Sequence, residues 1–399
     1  MAGATAALFA ANLYYAQPLL TTIARDLGLP PRFAGSVVSA SQMGYGLGLF
    51  FLVPLSDIIE NRRLVLTCSV LTLIGIIGVA CSHSAMTFLF FALMIGIFSS
   101  GAQVLIPYLS HIIPEARRGR ILGNVMAGIL TTIMLARPFA LFVAAAWGWR
   151  SVYFLSAFAT AMLGIALWRT MPPRQPHEHI AYKRTIISMF VLFGSERRVR
   201  RRTMYQAILF ACFTMFWAAI PILLAERFGF SKPEIGLFAL VGAGGVMAAP
   251  VAGRIADRGA VWIGTVLSSV VVVAAFLCSG LSLYWAAPIA LAVASLIIDG
   301  AIQISQMLSR IIVLDVAPAI RGRINALYMT TVYFSGAVGS MLGVSIYFSG
   351  GWSAVVMMGM LAGSAVFLAA MAERWSGLAG RTPASGGIDG VAGPETSGR

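Results

Sequence analysis

Apolar residues run in blocks of about 20 along nearly the whole chain, separated by short gaps that collect Pro, Gly and charge. Each block is long enough to cross about 30 Å of hydrocarbon at about 1.5 Å per residue. Read against that punctuation, the first half predicts helices over 5–24, 33–55, 64–82, 85–108, 121–146 and 149–170. The second half predicts helices over 203–225, 233–253, 260–280, 283–309, 323–347 and 350–372. The first block starts almost at Met1, with no basic n-region and no clear small-residue cleavage site, so it reads as a membrane helix rather than a removable signal. Residues 171–202 read as a polar, basic connector, and the Gly/Ser/Pro-rich stretch 376–399 as a disordered tail. The domain reading is therefore a bundle over 1–170, the connector 171–202, a second bundle over 203–375 and the tail 376–399.

Composition makes lipid the solvent. Hydrophobic residues fill 59% of the 399 positions, charged residues 11%, and the mean hydropathy is +0.87. A water-soluble chain carries about a quarter charged residues, and this one lacks the polar cover for such a surface. The net charge of +14 does not mark a nucleic-acid binder, because the basic residues sit in short gaps between apolar runs instead of on one polar face. With the N-terminus inside, the inner loops, connector and tail hold 22 of the 28 Lys and Arg residues. The outer loops hold Arg25, Arg32, Arg150, Arg227 and Lys232, while Arg137 lies inside a helix. The positive-inside bias therefore predicts both termini in the cytoplasm. Cys68, Cys81, Cys212 and Cys278 match neither a zinc site nor a disulfide framework and read as packing residues.

The two halves echo one another. Ser56-Asp57 closes the second predicted helix, and Gly253-Arg254-Ile255-Ala256-Asp257-Arg258-Gly259 closes the eighth. Arg118-Gly119-Arg120-Ile121 opens the fifth and Arg321-Gly322-Arg323-Ile324 the eleventh; those helices end at Gly148-Trp149 and Gly351-Trp352. Landmarks matched at both ends of a helix, with one constant offset of 203 residues, point to a duplicated six-helix unit.

These landmarks resemble the major facilitator superfamily across essentially the whole chain. The family's loop motif after helix 2 reads Gly-x-Leu-Ala-Asp-Arg-x-Gly-Arg-Arg. The first copy here, Val53 to Arg62, keeps Leu55, Asp57 and Arg62 but lacks both glycines and the Arg after the Asp; the second, Gly253 to Gly259, is closer. The segment Asn12-Leu13-Tyr14-Tyr15-Ala16-Gln17-Pro18-Leu19-Leu20 resembles the first helix of the bacterial drug:proton antiporter branch. Two departures stand out. Ala92 occupies the approximate place of the family's fourth-helix Arg, and Arg137 replaces the Gly of the fifth-helix Gly-Pro. The resemblance implies an all-α membrane protein with 12 transmembrane helices in two pseudo-symmetric six-helix bundles, the major facilitator fold. It also implies a multi-pass location in the bacterial inner membrane and a rocking, alternating-access mechanism.

Charge within hydrocarbon costs about 2.5–3.5 kcal/mol per residue on insertion scales, so buried charges are functional candidates. Arg137 shares its helix face with Leu130, Ile133, Met134 and Leu141 and needs a carboxylate, backbone carbonyls or water. The bland alternative is an Arg held by carbonyls freed near Pro138. Asp299 falls in one narrow stripe with Ser295, Gln303, Gln306 and Arg310 at about 100° per residue. Such a stripe must face protein or water; hydrogen-bonded glue between helices is the alternative to a cavity wall. Asp299 and Arg137 are the proton-coupling candidates, since a carboxylate that alternately meets and leaves a guanidinium can bind and release a proton. The family's cavity helices suggest Asn12, Tyr15, Gln17, Ser99, Gln103, Gln206, Gln303 and Gln306 as substrate-cavity candidates. Phe210, Phe213, Phe216 and Trp217 are available for stacking, or for ordinary packing. The resemblance assigns gating to Asp57, Arg62, Gly253, Asp257 and Arg258, while Arg197–Arg202 reads as a positive-inside anchor that also meets anionic lipid.

The leading expectation is a secondary active transporter performing proton-coupled efflux of small amphipathic compounds or drugs. Few cavity charges in the sequence favour a neutral or cationic substrate. The alternatives are an exporter of one metabolite (a sugar, amino-acid derivative or siderophore) and a non-transporting receptor or scaffold. The expected partners are a small molecule, protons and the lipid bilayer, with no nucleic acid, acting as a monomer. No cofactor or metal is expected and no enzyme activity, because His83, His111, His177 and His179 show no ligand geometry and there is no P-loop or nucleophile motif.

Overall fold

The computed structural model describes residues 1–174, 182–285, 287–316 and 318–375. The tail 376–399 and part of the connector lie outside them. The described residues form helices and no strands. Among the described residues nine helices are long and apolar enough to cross a membrane. Two further stretches approach that length but are broken into pieces.

The first is the N-terminal helix, expected to run unbroken over 5–24. It forms Ala2–Asn12, a turn, the 3-10 segment Gln17–Leu19 and then Leu20–Asp26. Pro18 explains the break, since it cannot donate into a continuing helix. The second is the predicted helix 233–253, which forms Lys232–Ala239, the 3-10 segment Leu240–Met247 and Ala248–Asp257. Its middle contains Gly242, Gly244 and Gly245, which weaken α-helix preference. Non-helical turns at membrane depth persist only where protein or a cavity satisfies the freed backbone groups. Both breaks lie beside the cavity described below.

Other boundaries shift. The predicted helix 85–108 divides into Ala85–Ser99 and Ala102–Ile112 around Gly101, and the helix expected to begin at 121 begins at Glu115. The basic run 197–202, assigned to the connector, forms the first turns of the helix Arg197–Phe228. The predicted pair 323–347 and 350–372 forms one run, Pro318–Trp375, interrupted at Gly351, where φ is 65° and ψ −167°. Gly148 makes the corresponding break in the first half at φ 83°, a conformation that costs a glycine little. The tryptophan after each break is buried at 4% exposure. The repeat seen in the sequence is thus a repeated backbone feature.

Two seams join the halves. The helix Ser36–Phe51 lies along the first part of Pro318–Trp375: Ser39 Oγ donates to the Ala337 carbonyl at 2.5 Å and Thr330 Oγ1 to the Gly46 carbonyl at 3.2 Å. The Tyr45 and Tyr333 rings meet edge-on at 4.5 Å. The other seam sets Glu115–Trp147 against the broken 232–257 stretch, where a methyl on Gly236 would lie 3.3 Å from Leu141 Cβ. At the Arg-rich end the helix Tyr182–Ser195 bridges the halves, with Tyr182 Oη donating to the Phe51 carbonyl at 2.9 Å and Phe190 packing on Phe50 at 5.5 Å. Phe90, Phe142, Phe158, Trp168, Ile263, Leu267 and Leu361 point outward and are exposed. That belt suits acyl chains, as a soluble protein rarely exposes so much contiguous apolar surface.

Candidate functional site

A cavity of about 190 Å³ lies between the halves. Its wall takes Ala6, Ala10 and Tyr14 from the first helix, Gln103 and Ile106 from Ala102–Ile112, and Met126 to Arg137 from Glu115–Trp147. The second half adds Phe210, Phe213, Gly242, Gly245, Asp299, Gln303, Gln306, Arg310 and Tyr333. Where the wall holds Met126 and Leu130 on one side and Ala248 on the other, the two helices of the second seam stand apart. Towards the Arg-rich end, Cβ atoms built on Gly119 and Gly123, which share the cavity-lining face of Glu115–Trp147, would meet nothing within 4 Å. Towards the other end Gln17, Ile220, Leu224, Ile235 and Phe238 leave only about 10 Å³ of space. The cavity therefore opens at the Arg-rich end.

The closed end of the cavity holds the buried charges, Arg137 at 6% exposure and Asp299 at 2%. They make no direct ion pair; Trp217 stands between them. Its indole Nε1 donates to Asp299 Oδ1 at 3.1 Å, and its ring receives the Arg137 guanidinium at 4.3 Å. Arg137 Nε donates to Gln17 Oε1 at 3.0 Å, and its guanidinium also lies 5.5 Å from the Tyr14 ring and 5.8 Å from Phe213. A guanidinium suits this setting, being weakly hydrated and able to stack on aromatic faces. Both broken stretches serve this cluster. The turn before Pro18 delivers Gln17, and the glycine-rich 3-10 segment lets its backbone approach. A methyl on Gly242 would fall 2.8 Å from Trp217 Cζ2 and 3.1 Å from Arg137 Nη1, while one on Gly245 would collide with Asp299 Oδ2.

The proton-coupling candidates Asp299 and Arg137 thus line one cavity with Gln103, Gln303 and Gln306. Gln103 Nε2 also donates to Tyr45 Oη at 3.1 Å. Gln17 lies behind the wall, on Arg137. The other cavity candidates lie away from it. Asn12 Oδ1 accepts from Ser156 Oγ at 2.6 Å, inside the first bundle. Tyr15 packs on Phe139 at 6.0 Å, its neighbour Tyr14 taking the cavity-facing position. Ser99 and Gln206 are fully buried in their bundles, and neither Gln206 side-chain polar atom has a partner. Of the gating residues, Arg62 Nη2 donates to the Trp168 carbonyl at 2.6 Å within the first half. Gly253 is half-buried, Asp257 and Arg258 are exposed at a helix end, and the Asp57 side chain is outside the described residues. The site also contains Trp217, Tyr14, Tyr333, Gly242 and Gly245 as structural members. The signal for Trp217 was available in principle, since a buried indole N–H seeks an acceptor.

The family model of the Major Facilitator Superfamily matches residues 2–339 and 202–385. An uncharacterized transporter of Escherichia coli O157:H7, YgaY, is 35% identical over 373 residues, 93% of each chain. The fold is similar to that of a D-xylose-proton symporter at TM-score 0.73 and 16% identity, covering 92% of this chain and 95% of that one. It is also similar to a POT peptide transporter at TM-score 0.74 and 14% identity, covering 94% of each.

Proposed function

The chain belongs to the Major Facilitator Superfamily, a family of multi-pass membrane transporters, and from that premise we propose proton-coupled efflux of small amphipathic compounds by alternating access. Twelve passes, both termini cytoplasmic and a monomeric unit complete the proposal. Among the described residues nine helices qualify as spans by themselves, the last is interrupted at Gly351, and the two broken stretches supply the remainder. The Arg-rich loops at one end support a cytoplasmic assignment for it. The cavity then opens inwards, the side from which an exporter loads.

One observation carries the coupling. At the closed end of a cavity between two bundles, a buried carboxylate and a buried guanidinium share one aromatic ring instead of an ion pair. Asp299 and Trp217 belong to the second bundle, Arg137 and Gln17 to the first. Relative motion of the bundles changes what Arg137 contributes at Asp299 while the Trp217 bond travels with the acid. A carboxylate whose charged partner approaches and recedes takes up and releases a proton over the cycle. Substrate and proton then compete for the same pocket, which couples their movements.

The test is flux in proteoliposomes under an imposed pH gradient, with and without a protonophore. Efflux should collapse with the protonophore, and Asp299→Asn should abolish the response to the gradient. Undiminished, gradient-driven flux by Asp299→Asn rules out the proton role, and absence of flux for any probe favours a receptor or scaffold.

A further inference from the structure

The cavity holds one cation more than its anions can balance. Among the described residues that line it the charged ones are Arg137, Asp299 and Arg310. Arg137 is engaged by Gln17 and by the Trp217 ring, whose indole also holds Asp299, so these two opposite charges offset one another. Arg310 is half-buried on the same stripe as Asp299, nearer the open end. Among the described residues no carboxylate and no hydrogen-bond acceptor engages it. Arg310 lines the same cavity as Tyr45 and Tyr333, so its side chain borders that space together with two phenol groups.

From this arrangement we infer that the cavity takes an organic monoanion, its carboxylate held by Arg310 and its apolar body lying against Phe210, Phe213 and Tyr14. A guanidinium offers paired N–H groups that match a carboxylate. Left unpaired in a pocket walled by aromatic and Met side chains, that charge costs solvation which an anionic ligand recovers. Gln303 and Gln306 lie between Arg310 and Asp299, so they can donate to the second carboxylate oxygen. The rings and Met126, Met134 and Met307 suit an apolar remainder. The neutral or cationic preference expected from the sequence rested on the small number of cavity charges, without weighing their sign. The field agrees with the new sign, because a potential negative inside drives an anion outward and a proton inward in one exchange. This inference rests on the transport reading above only for its direction; the binding site itself does not.

The protein in lipid nanodiscs is titrated with radiolabelled 2-naphthoate, 2-naphthamide and 2-naphthamidine, which share one ring system and differ in charge. Naphthoate should bind at least tenfold tighter than the amide, and the amidine weakest. Arg310→Gln should bring naphthoate to the level of the amide, while Arg310→Lys keeps most of the preference. Equal binding of the three by the wild type, a preference for the amidine, or no binding at all overturns the inference, as does a naphthoate preference that survives Arg310→Gln. The charge series on the wild type needs no variant, so a misfolded Gln variant leaves the test intact. Proteoliposome flux separates the two readings. Naphthoate bound but never transported counts against transport alone, whereas transport of the amide or amidine without naphthoate preference counts against the anion site alone.

Discussion

Trp217 Nε1 donates to Asp299 Oδ1 at 3.1 Å, joining two helices of the second bundle. The same ring carries Arg137 of the first bundle at 4.3 Å. One side chain therefore makes a rigid attachment within its own half and a face contact to the other. A cation–π contact tolerates sliding better than a directional ion pair, and when desolvated it is worth about 2 kcal/mol. Bundles that must separate and reclose gain from such a joint. A direct Arg–Asp pair in the same place would cost far more to open.

Replacing Trp217 separates its two roles. Trp217→Phe keeps a ring for Arg137 but removes the hydrogen bond to a charged acceptor, worth about 1.5–3 kcal/mol. Gradient-driven flux should fall about tenfold or more, with a smaller drop in the unfolding midpoint than Trp217→Ala gives. Trp217→Ala removes the ring as well and leaves a hole in a packed region, so the unfolding midpoint should fall too, in keeping with about 3–5 kcal/mol for such truncations. Flux assays and scanning fluorimetry on both variants check this. Wild-type flux in the Phe variant excludes a coupling role for the bond.

Gly245 predicts a different failure. A methyl there collides with the Asp299 carboxylate and comes within 3.2 Å of Gln303 Cγ. Overpacking of this kind costs about 1–3 kcal/mol, and here it displaces the acid. Gly245→Ala should lose most flux while remaining folded in detergent, whereas Gly300→Ala, facing open space, should transport normally. Measuring both variants side by side controls for helix propensity, which favours Ala at each position.

Apolar runs revealed most helices because a span of hydrocarbon demands them: the helix expected at 149–170 is Trp149–Thr170. The polar stripe through Asp299, Gln303, Gln306 and Arg310 was equally legible, as one helix has one periodicity and these residues lie on a single helix. The breaks beside Gln17 and across 240–247 were not. An apolar run reads alike whether its turns are α or 3-10, and only the partner across the gap decides. The same limit explains Asn12, Tyr15, Ser99 and Gln206. A polar residue must face protein, but its own helix does not say whether that is the cavity or the bundle interior. Arg202 was hidden for a related reason. Its carboxylate partner, Glu373, lies at the far end of the chain.

At the end opposite the Arg-rich loops, Asp26 accepts from Trp149 Nε1 at 3.0 Å and pairs with Arg150. The Arg150 bond first, then the Trp149 bond, hold the Asp26 carboxyl below the usual carboxylate range. A depressed value means the contribution is complete above the unfolded-state pKa, about 3.9, and fades as pH falls through the folded value. Asp26 is nearly half exposed at 46%, so solvent screening limits the effect to about 0.2–1 kcal/mol. The unfolding midpoint should drop slightly more between pH 5 and pH 3 in the wild type than in Asp26→Asn, and added salt should narrow that difference. Identical acid limbs at low salt count against the pairing.

Glu373 is the strongest test of stability. It lies on the last described helix and meets three residues at the start of Arg197–Phe228: Arg201 Nη2 at 3.2 Å, Arg202 Nη2 at 3.9 Å and Tyr205 Oη, which donates at 3.3 Å. Arg202 is buried at 5% exposure and also donates to Thr265 Oγ1 at 2.6 Å. Three helices of the second bundle thus meet on one carboxylate and two guanidinium groups. The basic run read as a topology anchor therefore also clamps the bundle. Removing one partner of a buried pair strands the other, at a cost of about 3–5 kcal/mol. Glu373→Ala should lower the unfolding midpoint by several degrees, whereas Arg202→Met combined with Glu373→Leu should recover part of that loss, because the buried Arg202 charge is no longer stranded. None of these residues lines the cavity, so flux per folded molecule should stay near the wild-type value in both. An unchanged midpoint in Glu373→Ala shows that water reaches Arg202 and that the clamp is slack.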